Sequence, residues 1–170
     1  MIIFNKEKHF NKITADFFDR SVADVSELDF ILFNHGADKY IRKDPGRFFL
    51  FSFLFLLFFQ DIALQQKYAN KHRSDIALVL NKLIYGFSQR LSYDPKDVSK
   101  LYLTVREQLD GLSTKASATG TDLYYSVAVC YLVGTFRNLY NPETDAVYFE
   151  LAAFFKSIVN KNIEYLSSIT

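Results

Sequence analysis

Apolar residues recur along this chain at spacings of three and four, the period that puts side chains on one face of an α-helix. Phe10, Ile13 and Phe17 begin the pattern and predict a first helix ending near Ser21. Ser21, with Asp24 three residues on, has the spacing of a helix cap and predicts a second helix through Val25, Leu28 and Leu32 that Gly36 closes. Ile76, Leu80, Leu83, Phe87 and Leu91 form a stripe behind Ser74. Val98, Leu101, Val105 and Leu109 form the next, with Gly111 as its stop. Residues 112–121, without large apolar side chains after Leu112, predict a flexible loop. Thr121 then reads as the cap of a sixth helix, with Leu123, Val127, Tyr131 and Gly134 on one side, running to about Tyr140. Val147, Leu151, Phe154, Phe155, Ile158, Ile163 and Leu166 mark a seventh.

The three prolines follow Asp44, Asp94 and Asn141. An Asp or Asn side chain can accept from a free amide of the first turn, and Pro at the first helical position gives up an amide that has no partner there. All three therefore read as helix starts. Nothing in the chain reads as a convincing strand. The expected fold is all-α, a single-domain bundle of about seven helices across residues 1–170.

Residues 48–59, FFLFSFLFLLFF, depart from the amphipathic pattern: seven Phe, four Leu and one Ser, with no charge. Twelve helical residues rise about 18 Å against a hydrocarbon core of about 30 Å, so the run is short for a membrane span. Phe at alternate positions favours a strand, but no β-branched residue occurs in the run and it flows into the helical pattern of DIALQQKYANK. A helix apolar on all faces needs cover on all faces. Exposing half of these side chains would forfeit on the order of 10 kcal/mol, as much as the stability of a domain. The run is expected at the centre of the bundle, in a helix over about 45–70. Either the other helices wrap it, or one face is shared across a homodimer.

Composition narrows function by exclusion. Of 170 residues, 20 are basic and 19 acidic, so no strong net field draws the chain to nucleic acid or anionic lipid. Local basic clusters, IRKDPGR and QKYANKHR, each contain an acid or fall at a helix end. Cys130 is the single cysteine and the N-terminus MIIFNKEKHF becomes charged early, which points to a cytoplasmic protein. With one Cys and three scattered His, and no Glu-x-x-His pair, neither a metal nor a cofactor is expected. GLSTKASATGT lacks the Gly-Lys-Ser/Thr ending of a phosphate loop, and Gly86-Phe87-Ser88 lacks the second glycine of a nucleophile elbow.

The candidate site residues are few. Asp61, Gln65, Tyr68 and His72 fall four, three and four apart, so a continuing helix would place them on one face at the polar end of the Phe-rich segment. His72 there is a candidate acid or base; as plain structure, the same residues form a solvated last turn ending in cations. His9 and His35 carry weaker signals. Arg137-Asn138, in TFRNLYNPE, is similar to the start of a motif in the helical ribonuclease-like domains called HEPN, where an Arg and a polar residue precede a His by four to six positions. Asn141, Pro142 and Glu143 stand where that His belongs, so the resemblance loses its chemistry and implies an inactive relative of such domains. The structural alternative has Arg137 capping helix carbonyls.

Three kinds of function follow. A non-enzymatic interaction protein, of inhibitor, immunity, adaptor or assembly type and able to form a homodimer, requires no missing residue. A binding protein for an apolar small molecule requires a pocket lined by Phe. A small helical enzyme or nucleic-acid-associated protein requires His72 or Arg137 in a cleft with other polar groups.

Overall fold

The computed structural model describes residues 2–169, with side chains from residue 6 onward. These residues form seven helices: α1 (Ile2–Asn34), α2 (Asp38–Lys43), α3 (Pro45–Tyr68), α4 (Arg73–Leu91), α5 (Pro95–Thr119), α6 (Leu123–Phe136) and α7 (Ala146–Ser168). The protein is an all-α bundle, and α3 is its axis: each of the other six helices packs against it.

Eleven of the twelve residues 48–59 are buried, with Phe53, Leu54, Leu56 and Leu57 fully so. Phe49, 43 % exposed, is the exception. Phe53 stacks on Phe87 of α4 at 3.6 Å between centroids, and Phe55 meets Tyr131 of α6 edge-on at 5.2 Å and Phe155 of α7 at 6.1 Å. The single hydroxyl of the run is satisfied too, because Ser52 Oγ lies 2.7 Å from Tyr131 OH. Burial of that phenol raises its pKa. Beyond Phe59 the helix continues through Gln60 and Asp61 to Tyr68, so α3 as a whole is longer than its Phe-rich core. By length and composition the whole of α3, unlike the twelve-residue run, could cross a membrane; 78 % of its most apolar window is buried among the other helices.

The caps at Asp44 and Asp94 are as expected: Asp44 Oδ1 accepts from the Arg47 amide at 3.1 Å, and Asp94 Oδ1 from the Lys96 amide at 2.7 Å. Several boundaries differ. First, residues 10–34 form one helix with no break at Ser21. Ser21 is buried on α1, and Gln60 of α3 donates to its Oγ at 2.8 Å and to the Phe17 carbonyl at 3.0 Å. A polar partner on another helix, rather than a free amide, explains that serine. Gly36 does end α1: at φ +74° it lets its own amide reach Phe33 O and the Ala37 amide reach Leu32 O, which satisfies the last carbonyls in the Schellman pattern.

Second, a short α2 fills the link before Asp44. Third, residues 112–119 are helical and not a loop. Gly111 costs the helix only about 1 kcal/mol, and Leu109 and Ala116 are buried on either side of it. The hydroxyls of Thr114, Ser117 and Thr119 bond back to carbonyls four residues earlier, and the helix stops at Gly120, φ +70°. Fourth, Asn141-Pro142 does not start α7, which begins at Ala146. The α6–α7 connection is tied elsewhere: Arg137 and Asn138 take positive φ, and buried Tyr140 donates to the His35 carbonyl at 2.8 Å. The cap of α6 is Asp122, one residue beyond Thr121.

Candidate functional site

The five residues singled out by the sequence fall in three places. Asp61 and Gln65 belong to the α3–α5 contact. Asp61 is 2 % exposed, and its carboxylate accepts from Tyr102 OH at 2.8 Å, pairs with Arg106 Nη1 at 3.0 Å and accepts from Gln65 Nε2 at 3.1 Å. Burial and the neighbouring carboxylate push the Tyr102 phenol well above its ordinary range. Tyr102 and Arg106 are one turn apart on α5, so one buried charge fixes that helix to the axis.

Tyr68 and His72 belong to a second cluster, against the N-terminal half of α1. The helix ends at Tyr68, so His72 sits beyond it at the start of α4 and off the α3 face. Tyr68 OH lies 3.0 Å from His9 Nε2, and Phe10 packs against the rings of both Tyr68 and His72 at 5.4 and 5.7 Å. His72 Nδ1 lies 3.1 Å from Asp75 Oδ2, which also holds Lys6 Nζ at 2.7 Å. Burial works to raise the Asp75 pKa, but Lys6 and His72 outweigh it and hold the carboxyl below its ordinary value. Each polar group in this cluster has a partner, and the cluster joins three helix ends.

Arg137 stands apart, exposed at the C-terminal cap of α6 with φ +50°. The capping of α6 carbonyls is performed by Arg47, which the sequence did not single out. Its Nε donates to Gly134 O at 2.9 Å and Thr135 O at 3.1 Å, and its guanidinium lies 4.4 Å over the Phe51 ring. Burial lowers the Arg47 pKa, with the like charge of Arg137 adding to the effect.

A separate concavity coincides with none of these. Between α5 and α6 runs an open groove of about 710 Å³. Leu101, Val105 and Leu112 form its α5 wall, Val129 and Val133 its α6 wall, and Phe51 its floor. The space exists because Ser126, Cys130 and Gly134, spaced by four, present small groups along that side of α6. Gly134 is required there, since a Cβ would come within 2.8 Å of the Phe51 ring.

Among the described residues, no charged side chain lines the groove. Two of its hydroxyls are turned back into their own helices: Thr104 donates to Lys100 O at 3.2 Å and Ser126 to Asp122 O at 3.2 Å. Burial raises the pKa of the Cys130 thiol, which keeps it neutral. With Gln108 and Tyr125 as its other polar side chains, the surface offers mainly hydrocarbon contact and a few uncharged polar groups. The signal for it in the sequence is the small-residue spacing 126, 130, 134 within an uncharged helix.

Comparison with known proteins found no matching family model, no similar curated protein and no similar solved structure.

Proposed function

We propose that this is a non-enzymatic binding protein that takes an apolar molecule in the groove between α5 and α6. The observation that carries the reading is the groove itself: about 710 Å³ lined without a single charged residue, within the range of about 300–1,000 Å³ common for small-molecule sites. The alternative of acid–base chemistry at His72 lacks support, because His72 and Tyr68 are engaged with Asp75 and His9 in packing between helix ends. The direct test is the fluorescence of Nile red, an uncharged apolar dye. Enhancement by the native protein and its loss in Ser126→Phe and Cys130→Phe, which fill the groove, are expected. Equal enhancement by folded variants would contradict the reading.

A protein partner is the second reading, and a different surface favours it. Val22, Ser26, Phe30 and Phe33 follow one face of α1, where Phe30 is 65 % and Phe33 56 % exposed. Exposed Phe49 lies against the same stripe, sharing a shallow pocket with Val22, Val25 and Ser26. A homodimer through this face would appear in light scattering and dissociate in the Phe30→Ser/Phe33→Ser variant; a monomer at all concentrations would contradict the homodimer.

A further inference from the structure

The apolar groove ends against a group of cations. At its Gly134 end, a second pocket of about 300 Å³ is lined by Lys43, Arg47 and Arg137, with Asp44 as its one acid. Three positive charges against one negative is a strong local excess in a chain whose net charge is only +1. The Asp44 carboxylate is engaged with the Arg47 amide at 3.1 Å, and Arg47 is committed to the α6 carbonyls. Lys43 and Arg137 are exposed and have no ion-pair partner among the described residues.

The two pockets share a boundary. Arg47 lines the cationic one, while the groups it holds, the Phe51 ring and the Gly134 carbonyl, line the apolar one. Arg137 follows Val133 and Gly134 by four and three positions, so it stands one turn beyond the end of the groove's α6 wall. From Tyr125 to Gly134 that wall rises about 14 Å. The length, the uncharged walls and the cationic end together describe a complement to one kind of molecule.

We propose that the occupant is an anionic amphiphile of fatty-acid type, its hydrocarbon chain lying in the α5/α6 groove and its carboxylate meeting Lys43 and Arg137. This rests on the groove reading above and adds the head group to it. A carboxylate there gains charge-assisted hydrogen bonds, with Arg137 able to offer two parallel donors. The left-handed backbone at Arg137 turns the chain at this point and sets the residue beside Lys43 in the same pocket.

Isothermal titration with dodecanoate and with dodecanol, both below their aggregation limits, separates the two claims. Native protein is expected to bind dodecanoate at least about tenfold more tightly than dodecanol. Lys43→Gln/Arg137→Asn is expected to remove that preference and leave dodecanol binding unchanged; Asn tolerates the left-handed backbone that Arg137 adopts. Circular dichroism confirms that the variant is folded, and raised salt on the native protein gives the same comparison without substitution. Equal affinity for both probes, unaltered by the variant or by salt, would overturn the anionic head and leave the groove reading standing. Binding of neither probe would overturn both. Binding to phosphatidylglycerol vesicles without binding of dodecanoate would overturn the proposal in favour of a membrane surface.

Discussion

Asp61 is a buried charge on the axis of the bundle, and it is tolerated because α5 brings it a phenol and a guanidinium. Losing Tyr102 OH should cost about 1–2 kcal/mol, since a buried acceptor loses one donor of several. Removing a partner from a fully buried ion pair costs about 3–5 kcal/mol. Arg106 is 37 % exposed, so water takes up part of its role, and Arg106→Met should cost on the order of 2 kcal/mol. Urea denaturation of Tyr102→Phe and Arg106→Met measures both; no loss in either would mean that Asp61 is solvated in solution. Asp24 behaves differently. Burial raises its pKa to about 6, with Lys161 and Arg20 opposing and Glu27 adding. A folded-state pKa above the unfolded value means that the folded protein holds more protons between about pH 4 and 6. The cost of its charge is therefore fully present above about pH 6 and absent below about pH 4. Asp24→Asn should raise the melting temperature at pH 7.5, and the gain should shrink towards pH 4.5; a gain independent of pH would contradict this.

The helices themselves are largely legible in the sequence, because most stripes of apolar residues at spacings of three and four are buried as expected. Their ends are less so. Asp44 and Asp94 cap as their sequence suggests because nothing else claims their side chains, whereas Ser21 is claimed by Gln60 and stays inside α1. The polar stretch 112–119 has the composition of a loop. Its hydroxyls instead bond within the helix, a local alternative that residue type alone does not reveal. Asn141-Pro142 misleads because Tyr140, beside it, is fastened to the end of α1. Gly36, like Gly120, is a breaker whose role follows from backbone geometry: at φ +74°, Gly36→Ala should cost about 1 kcal/mol through strain in the left-handed region. A thermal melt unaffected by Gly36→Ala would show that the α1 end relaxes without it.

At the scale of the molecule, the Phe-rich helix accounts for the fold and the α5/α6 groove for the function proposed. The first is legible, since a helix with no polar face has to be covered. The second is hidden, because the groove depends on which faces of α5 and α6 fail to meet, and Ser126, Cys130 and Gly134 read as an ordinary small-residue stripe until both helices are in place. Truncation should reproduce this division: Phe53→Ala, at a fully buried position, should cost about 3–5 kcal/mol, and Phe49→Ala, at an exposed one, under about 1 kcal/mol. The measurement that bears most directly on the whole account is amide hydrogen exchange, followed residue by residue with and without dodecanoate. The account predicts that residues 50–64 exchange slowest in the chain, as the covered axis of the bundle, and that dodecanoate adds protection on 101–112 and 125–137. Fast exchange across 50–64, or ligand protection confined to α1 or α7, would contradict it.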